Sequence, residues 1–272
     1  MNDVIRAVIL GVVEGLTEFL PISSTGHMIL VMPWIGISGE AEPFWNGVFN
    51  FFIQIGAILA VVIYFWRRLW RLTFHPADKA WHEHFLFKLL IAMVPAGVLG
   101  VMFDHFMKRH LMKPPVVAVA LVLGGLAILV IERAVRHPRF ADAGAISLRV
   151  AFLIGLIQCL AMVPGVSRSG ATIMGALVLG LTPVAAAEFS FFLAIPTLVG
   201  AGMLSLVKGL DQIQPGQRIP LALGFLVAFV VAWGVVAAFM NYIRTHQFTW
   251  FALYRIVLGG IVLAWMLHQG RV

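Results

Sequence analysis

The chain has 272 residues, 61% of them hydrophobic and only 11% charged, with a net charge of +7 and a mean hydropathy of +0.97. A soluble domain is about half apolar and a quarter charged, so this composition excludes an ordinary soluble fold and indicates a polytopic membrane protein. The lone Cys159 excludes an internal disulfide or a cysteine metal cluster. The positive charge gathers at the ends of apolar runs, where it reports topology and not nucleic acid.

The first apolar stretch, 4–35, carries Glu14 and Glu18 and lacks the basic segment and small-residue cleavage site of a removable signal. Its middle reads "PISSTGH", in which Pro21 ends one helix and Ser23, Ser24 or Thr25 can cap the next. About 30 residues cannot make two crossings of ~20 residues each, so a helix that dips in and returns is expected. Apolar runs then follow at 51–66, 86–103 and 115–131, a second interrupted stretch at 150–182, and runs at 187–207, 220–240 and 249–267. Trp34, Trp45, Trp66, Trp70, Trp81 and Tyr64 lie near span ends and are expected as interface anchors. His75, His82 and His84 read as a solvated loop. Glu188 suits the positive end of a helix dipole, and Arg255 reads as an interfacial anchor or a partner for an acid.

An internal repeat organises the chain. "GVVEGLTEFLPISSTG" (11–26) aligns without a gap on "GLIQCLAMVPGVSRSG" (155–170), at a constant offset of 144. Ser23 meets Ser167, Gly26 meets Gly170, and Glu14 meets Gln158. Later, "LVLGGLAILV" (121–130) resembles "IVLGGIVLAW" (256–265). The whole chain therefore reads as a single integral membrane domain built of repeats 1–133 and 147–268. Each repeat is an interrupted helix pair followed by three spans. Three is odd, so the second copy is expected upside down, and the fold class is all-α with two inverted-topology repeats. Loops after the first, third and fifth spans carry nine Lys and Arg against seven on the other side. That margin puts the first set in the cytoplasm and opens the first interrupted pair toward the outer face.

The interruptions hold the chemistry. Glu14 and Glu18 share one face of the first helix, and carboxylates inside membrane segments usually face a cavity. Helix N-termini and the hydroxyls of Ser23, Ser24 and Thr25 suit phosphate. The second interruption, "PGVSRSG", adds Arg168 between Ser167 and Ser169. Its planar fork matches phosphate oxygens two at a time, although a pairing with Glu14 or Glu18 alone would also account for it. Phosphate beside two carboxylates calls for a hard divalent cation, Mg²⁺ or Ca²⁺, held by Glu14 and Glu18. His27 can act as acid, base or nucleophile.

These segments, "GVVEGLTEFLPISSTGH" and "PGVSRSGAT", closely resemble the two signature stretches of the undecaprenyl-diphosphate phosphatase family, also called bacitracin-resistance proteins. The resemblance extends to "FFIQIGAILAVV" (51–62) and "EFSFFLAIPT" (188–197). It implies a phosphatase of the bacterial cytoplasmic membrane, acting at its outer face on undecaprenyl diphosphate among membrane lipid. It implies catalytic roles for Glu14, Glu18, Ser24, His27 and Arg168. It places Thr25, Gln54, Ser167 and Ser169 around the phosphate, and Ser23, Gly26 and Gly170 join them as candidate substrate-binding residues on the repeated turns. Whether Ser24, His27 or water attacks stays open at this stage, as does the oligomeric state, a homodimer among the options. A transporter or flippase is the rival class, since inverted repeats with broken helices are common there.

Overall fold

The computed structural model describes residues 1–37, 44–74, 84–135, 138–209 and 213–268. The histidine loop expectation therefore falls partly outside it, at His75 and His82, as does Trp81. The described residues form helices joined by turns, with no strand among them. The first repeat holds α1 (Asp3–Thr17), α2 (Ser24–Val31), α3 (Asn50–Tyr64), α4 (Trp66–Phe74), α5 (Phe85–His110) and α6 (Pro114–Ala134). The second holds α7 (Leu148–Gln158), α8 (Arg168–Val178), α9 (Pro183–Gly209), α10 (Arg218–Tyr242) and α11 (Thr249–His268). Local chemistry sets several of these starts. The Asn2 side chain accepts from the Val4 N–H and caps α1, Pro114 opens α6, and the Ser147 side chain accepts from the Val150 N–H and caps α7.

Six helical segments are long and apolar enough to cross a bilayer: Gly47–Tyr64, Phe85–Phe103, Pro114–Ala134, Pro183–Gly200, Pro215–Tyr242 and Thr249–His268. They coincide with the six runs expected from hydropathy. The four helices of the two interrupted stretches hold 15, 8, 11 and 11 residues. At about 1.5 Å per residue, none reaches the ~30 Å of hydrocarbon. The outer flanks of the spans are apolar yet exposed, as at Leu123, Val130, Val101 and Ile261. Such a surface would aggregate in water and suits lipid; the protein is a multi-pass membrane protein.

The halves interlock. The longest helix contacts include α1 along α10, α7 along α5 and α6 along α11, and each of these pairs joins one repeat to the other. Glycine makes the approach close. A methyl group on Gly11 would lie 2.7 Å from the Gly224 carbonyl oxygen, and one on the aligned Gly155 would lie 2.0 Å from that of Ala92. A phenylalanine cluster that includes Phe19, Phe85, Phe189, Phe191, Phe192 and Phe239 fills the centre between the halves.

Several expectations about single residues change here. Trp34, Trp66, Trp70 and Tyr64 are exposed as anchors should be, but Trp45 is buried, with its ring 5.0 Å from Phe44 and 4.6 Å from Phe49. It is a core residue on the π-helical turn Phe44–Phe49, packed in a cluster with Val48, Phe49 and Ile53. Glu188 does more than face a helix dipole: Arg68 Nε donates to it at 2.7 Å, while Arg68 Nη2 donates to Asp142 at 2.7 Å. His84 caps α5 by accepting from the Leu86 N–H.

Candidate active site

Both interruptions fold alike. After Thr17 the chain leaves α1 through a turn over residues 18–22, and Ser23 caps α2 by accepting from the Gly26 N–H at 3.2 Å. After Gln158 a 3₁₀ turn, Cys159–Met162, leads to Ser167, which caps α8 by accepting from the Gly170 N–H at 3.0 Å. Ser23 and Ser167 have φ of 74° and 76° and are the only non-glycine residues with positive φ among those described. L-residues avoid this region at a cost of roughly 1–3 kcal/mol, and such strain clusters at functional sites. The two residues occupy aligned positions of the repeat, so the turn geometry is duplicated together with the sequence.

The turns meet at a cavity of about 290 Å³. The first repeat lines it with Glu18, Ser23, Ser24, Thr25 and Gln54, the second with Gln158, Ser167, Arg168 and Thr197. Glu18 holds the centre. Ser24 Oγ donates to its Oε2, and Arg168 Nη2 donates to its Oε1 at 3.3 Å. Arg168 Nη1 donates to the Ser190 carbonyl at 3.0 Å, and the guanidinium lies 5.8 Å from the centre of the Phe19 ring. The sequence allowed Arg168 to pair with a glutamate or to serve an anion. The geometry combines the two, since Arg168 pairs with Glu18 while lining the cavity. A hydroxyl already resting on a carboxylate is the arrangement that activates a nucleophile.

Not every candidate faces the cavity. Glu14 is buried behind Glu18, with its Oε1 unpartnered. His27 lies outside the lining: Nδ1 contacts the Ser23 carbonyl at 2.7 Å and Nε2 the Tyr254 hydroxyl at 2.7 Å. The imidazole thereby braces the carbonyl of the strained Ser23. Ser169 also lies outside the lining. Its hydroxyl donates to the Leu20 carbonyl at 2.7 Å and contacts Ser167 Oγ at 3.0 Å, tying the second turn to the first. Gly26 and Gly170 spend their N–H groups on the serine caps. The free donors of the helix starts are those ahead of them.

Arg255 departs furthest from its expectation. It is neither an interfacial anchor nor an acid's partner: it is 1% exposed and donates only to backbone carbonyls. Nη1 reaches Pro21 at 3.0 Å and Val166 at 2.9 Å, Nη2 reaches Gly165 at 2.9 Å and Ala120 at 3.2 Å, and Nε reaches Leu121 at 3.3 Å. Gly124 makes room for it, since a methyl group there would lie 1.9 Å from Nη2. An arginine set in an apolar span was the only sequence signal of this role. Gln158 and Thr197 also escaped notice as cavity residues, although alignment with Glu14 marked Gln158. The pair Thr172 and Ser190, with hydroxyls 2.6 Å apart beneath Arg168, is supporting structure.

The donor set bears on a metal. No group of three or more His, Cys, Asp or Glu side chains gathers among the described residues, so a cage made of protein alone is not built. Glu14 and Glu18 lie one helical turn apart, and the free Oε1 of Glu14 is an acceptor in need of a partner. Two carboxylates completed by phosphate oxygens suit a hard divalent ion, and the residues fit such an ion.

Known proteins resemble this chain over nearly its whole length. Undecaprenyl-diphosphatase of Novosphingobium aromaticivorans is 45% identical over 98% of this chain and 99% of its own length. The enzyme of the same name from Parvibaculum lavamentivorans is 45% identical over 97% of both chains. That of Rhizorhabdus wittichii is 46% identical over 98% and 99%. The family profile described as bacitracin resistance protein BacA matches residues 7–261, and with these relatives it settles the lineage: this chain belongs to the BacA bacitracin resistance family.

Proposed function

We propose that this protein hydrolyses undecaprenyl diphosphate to undecaprenyl phosphate and inorganic phosphate, recycling the lipid carrier of cell-wall synthesis and thereby conferring bacitracin resistance. The observation that carries the mechanism is Glu18 bracketed by the Ser24 hydroxyl and Arg168 inside a cavity with both polar and apolar walls. Ser24 Oγ attacks the terminal phosphorus and its proton passes to Glu18. The bond from that phosphorus to the bridging oxygen breaks, and the oxygen leaves with undecaprenyl phosphate. Water then attacks the phosphoserine, phosphate departs, and a proton returns to Ser24 Oγ. Arg168, the hydroxyls of Ser23 and Thr25, and the helix N-termini bear on the phosphoryl oxygens as charge shifts. Gln54 and Ser167 line the same space. A divalent ion, Mg²⁺ or Ca²⁺, would be held by Glu14 and Glu18, and when bound it would neutralise phosphate charge. His27 acts in this scheme by bracing Ser23.

The wider architecture follows. Three spans per repeat, interlocked packing and matching strained turns all support an inverted repeat with two re-entrant pairs. The cytoplasmic membrane is the expected location. Loop charge supports an outward-facing site, and so does Met112, a cavity residue on the α5–α6 connection. That connection lies on the side the charges assign to the exterior.

Purified protein in detergent, given undecaprenyl diphosphate and Mg²⁺ or Ca²⁺, is expected to release phosphate with no membrane gradient present. Ser24→Ala is expected to lose at least about a thousandfold in rate. Absence of release by the wild-type protein would sink the reading and favour a transporter. Full activity of the alanine variant would remove Ser24 as nucleophile.

A further inference from the structure

The cavity contains more hydrogen-bonding capacity than the reaction at Ser24 uses. Gln158 is 3% exposed, and neither its Oε1 nor its Nε2 has a partner. Thr197 Oγ1 and Arg168 Nε are likewise buried and unpartnered. All three residues line the same cavity, from the end of α7, the middle of α9 and the start of α8. Buried polar groups in native proteins are nearly always hydrogen-bonded, and an orphan calls for an explanation. Leaving an amide unpaired costs what an apolar side chain of the same shape would avoid. Three cavity-lining residues that carry orphaned polar atoms indicate a polar group that belongs among them.

We infer that Gln158 and Thr197, with the Nε–H of Arg168, form the subsite for the phosphate that stays on the prenyl chain. The inference rests on the diphosphatase reading above and adds to it the means of recognising the second phosphate. Ser24 fixes where the terminal phosphorus must lie, against the wall built by the first repeat. The unpartnered donors belong to the second. Apolar lining lies beside them in the chain, with Ala161 and Met162 just after Gln158 and Leu198 just after Thr197. The phosphate nearest that apolar wall is the one bonded to the lipid. As the bridging bond breaks, its electron pair moves onto the bridging oxygen and the proximal phosphate, so donors placed there strengthen in the transition state. The repeat supplies a chemical contrast as well. The position that is acidic in the first copy, Glu14, is a neutral amide in the second, and the amide can donate to a phosphate where an ionised carboxylate cannot.

The test uses Gln158→Leu and Thr197→Val in full-length protein, each close in shape to the original. Steady-state hydrolysis of undecaprenyl diphosphate is measured together with inhibition by undecaprenyl phosphate and by inorganic phosphate. Each variant is expected to raise KM and the undecaprenyl phosphate inhibition constant together, by about tenfold for a lost hydrogen bond to a charged group. Inhibition by inorganic phosphate, which occupies the Ser24 side, is expected to hold. Unchanged inhibition by undecaprenyl phosphate in both variants would overturn the inference, as would an equal loss for both inhibitors, which marks general distortion. Should Gln158→Leu not fold, Thr197→Val decides alone. A wild-type protein that releases no phosphate would instead overturn the hydrolase reading, so the two failures are separable.

Discussion

Arg168 serves two acceptors at once, Glu18 through Nη2 and the Ser190 carbonyl through Nη1, and still has an uncommitted Nε. A lysine ammonium is a single point and cannot occupy those directions together. Arg168→Lys is therefore expected to lower turnover by at least about a hundredfold, the usual scale for losing one preorganised transition-state donor. Phosphate release at saturating substrate checks this, and an unchanged rate removes Arg168 from the site. Arg168, Ser24 and Glu18 were legible in the sequence because the repeat aligned two polar turns inside apolar stretches. Arg255 was not, because its partners are backbone carbonyls, which no residue type announces. His27 was visible as a residue, but its direction was not: only the fold shows that its ring turns toward Tyr254.

At the scale of elements, Arg255 on α11 stitches together both turns and α6. Its acceptors Pro21, Gly165 and Val166 lie in or beside the turns, where no helix ladder would satisfy them. Arg255→Met leaves those carbonyls buried and unpaired, with an expected cost on the order of 3 kcal/mol or more. Thermal unfolding in detergent should show a clearly lower Tm, with Arg255→Lys between the two. An unchanged Tm for the methionine variant would contradict the clamp. Hydropathy located the spans because burial in lipid demands length. It gave no sign that α1 belongs with α10 or α7 with α5, since that choice depends on glycine backbones meeting carbonyl oxygens across the two repeats.

Across the whole molecule the halves are also joined at their polar margin. Arg68 binds both Asp142 and Glu188, drawing together α4, the segment before α7, and α9. Burial tends to raise the Asp142 pKa, but the Arg68 guanidinium and the Gly144 N–H outweigh it and hold the carboxyl below its ordinary value. A depressed carboxylate contributes stability above its unfolded pKa of about 3.9 and loses it as pH falls through the lower folded value. Asp142→Asn is expected to lower Tm at neutral pH only slightly, by the equivalent of less than about 1 kcal/mol, because the group is half exposed and screened. The gap to wild type should close as the solution is acidified below the ordinary carboxylate range. A gap that stays constant in acid would assign the effect to something other than charge.

The carbonyls gathered by Arg255 have an electrical consequence. Peptide groups are dipoles, and a broken helix in lipid must send its negative ends somewhere. Here the oxygens of Pro21, Gly165 and Val166 converge on one guanidinium, while Ser24 and Arg168, which begin α2 and α8, line the cavity. The backbone of the two turns is thereby sorted by sign: carbonyl oxygens that would repel a phosphate are neutralised by Arg255, and the N–H ends that attract it remain. The cavity can thus be receptive to an anion with a single cation in its described wall, and that cation is already half committed to a carboxylate.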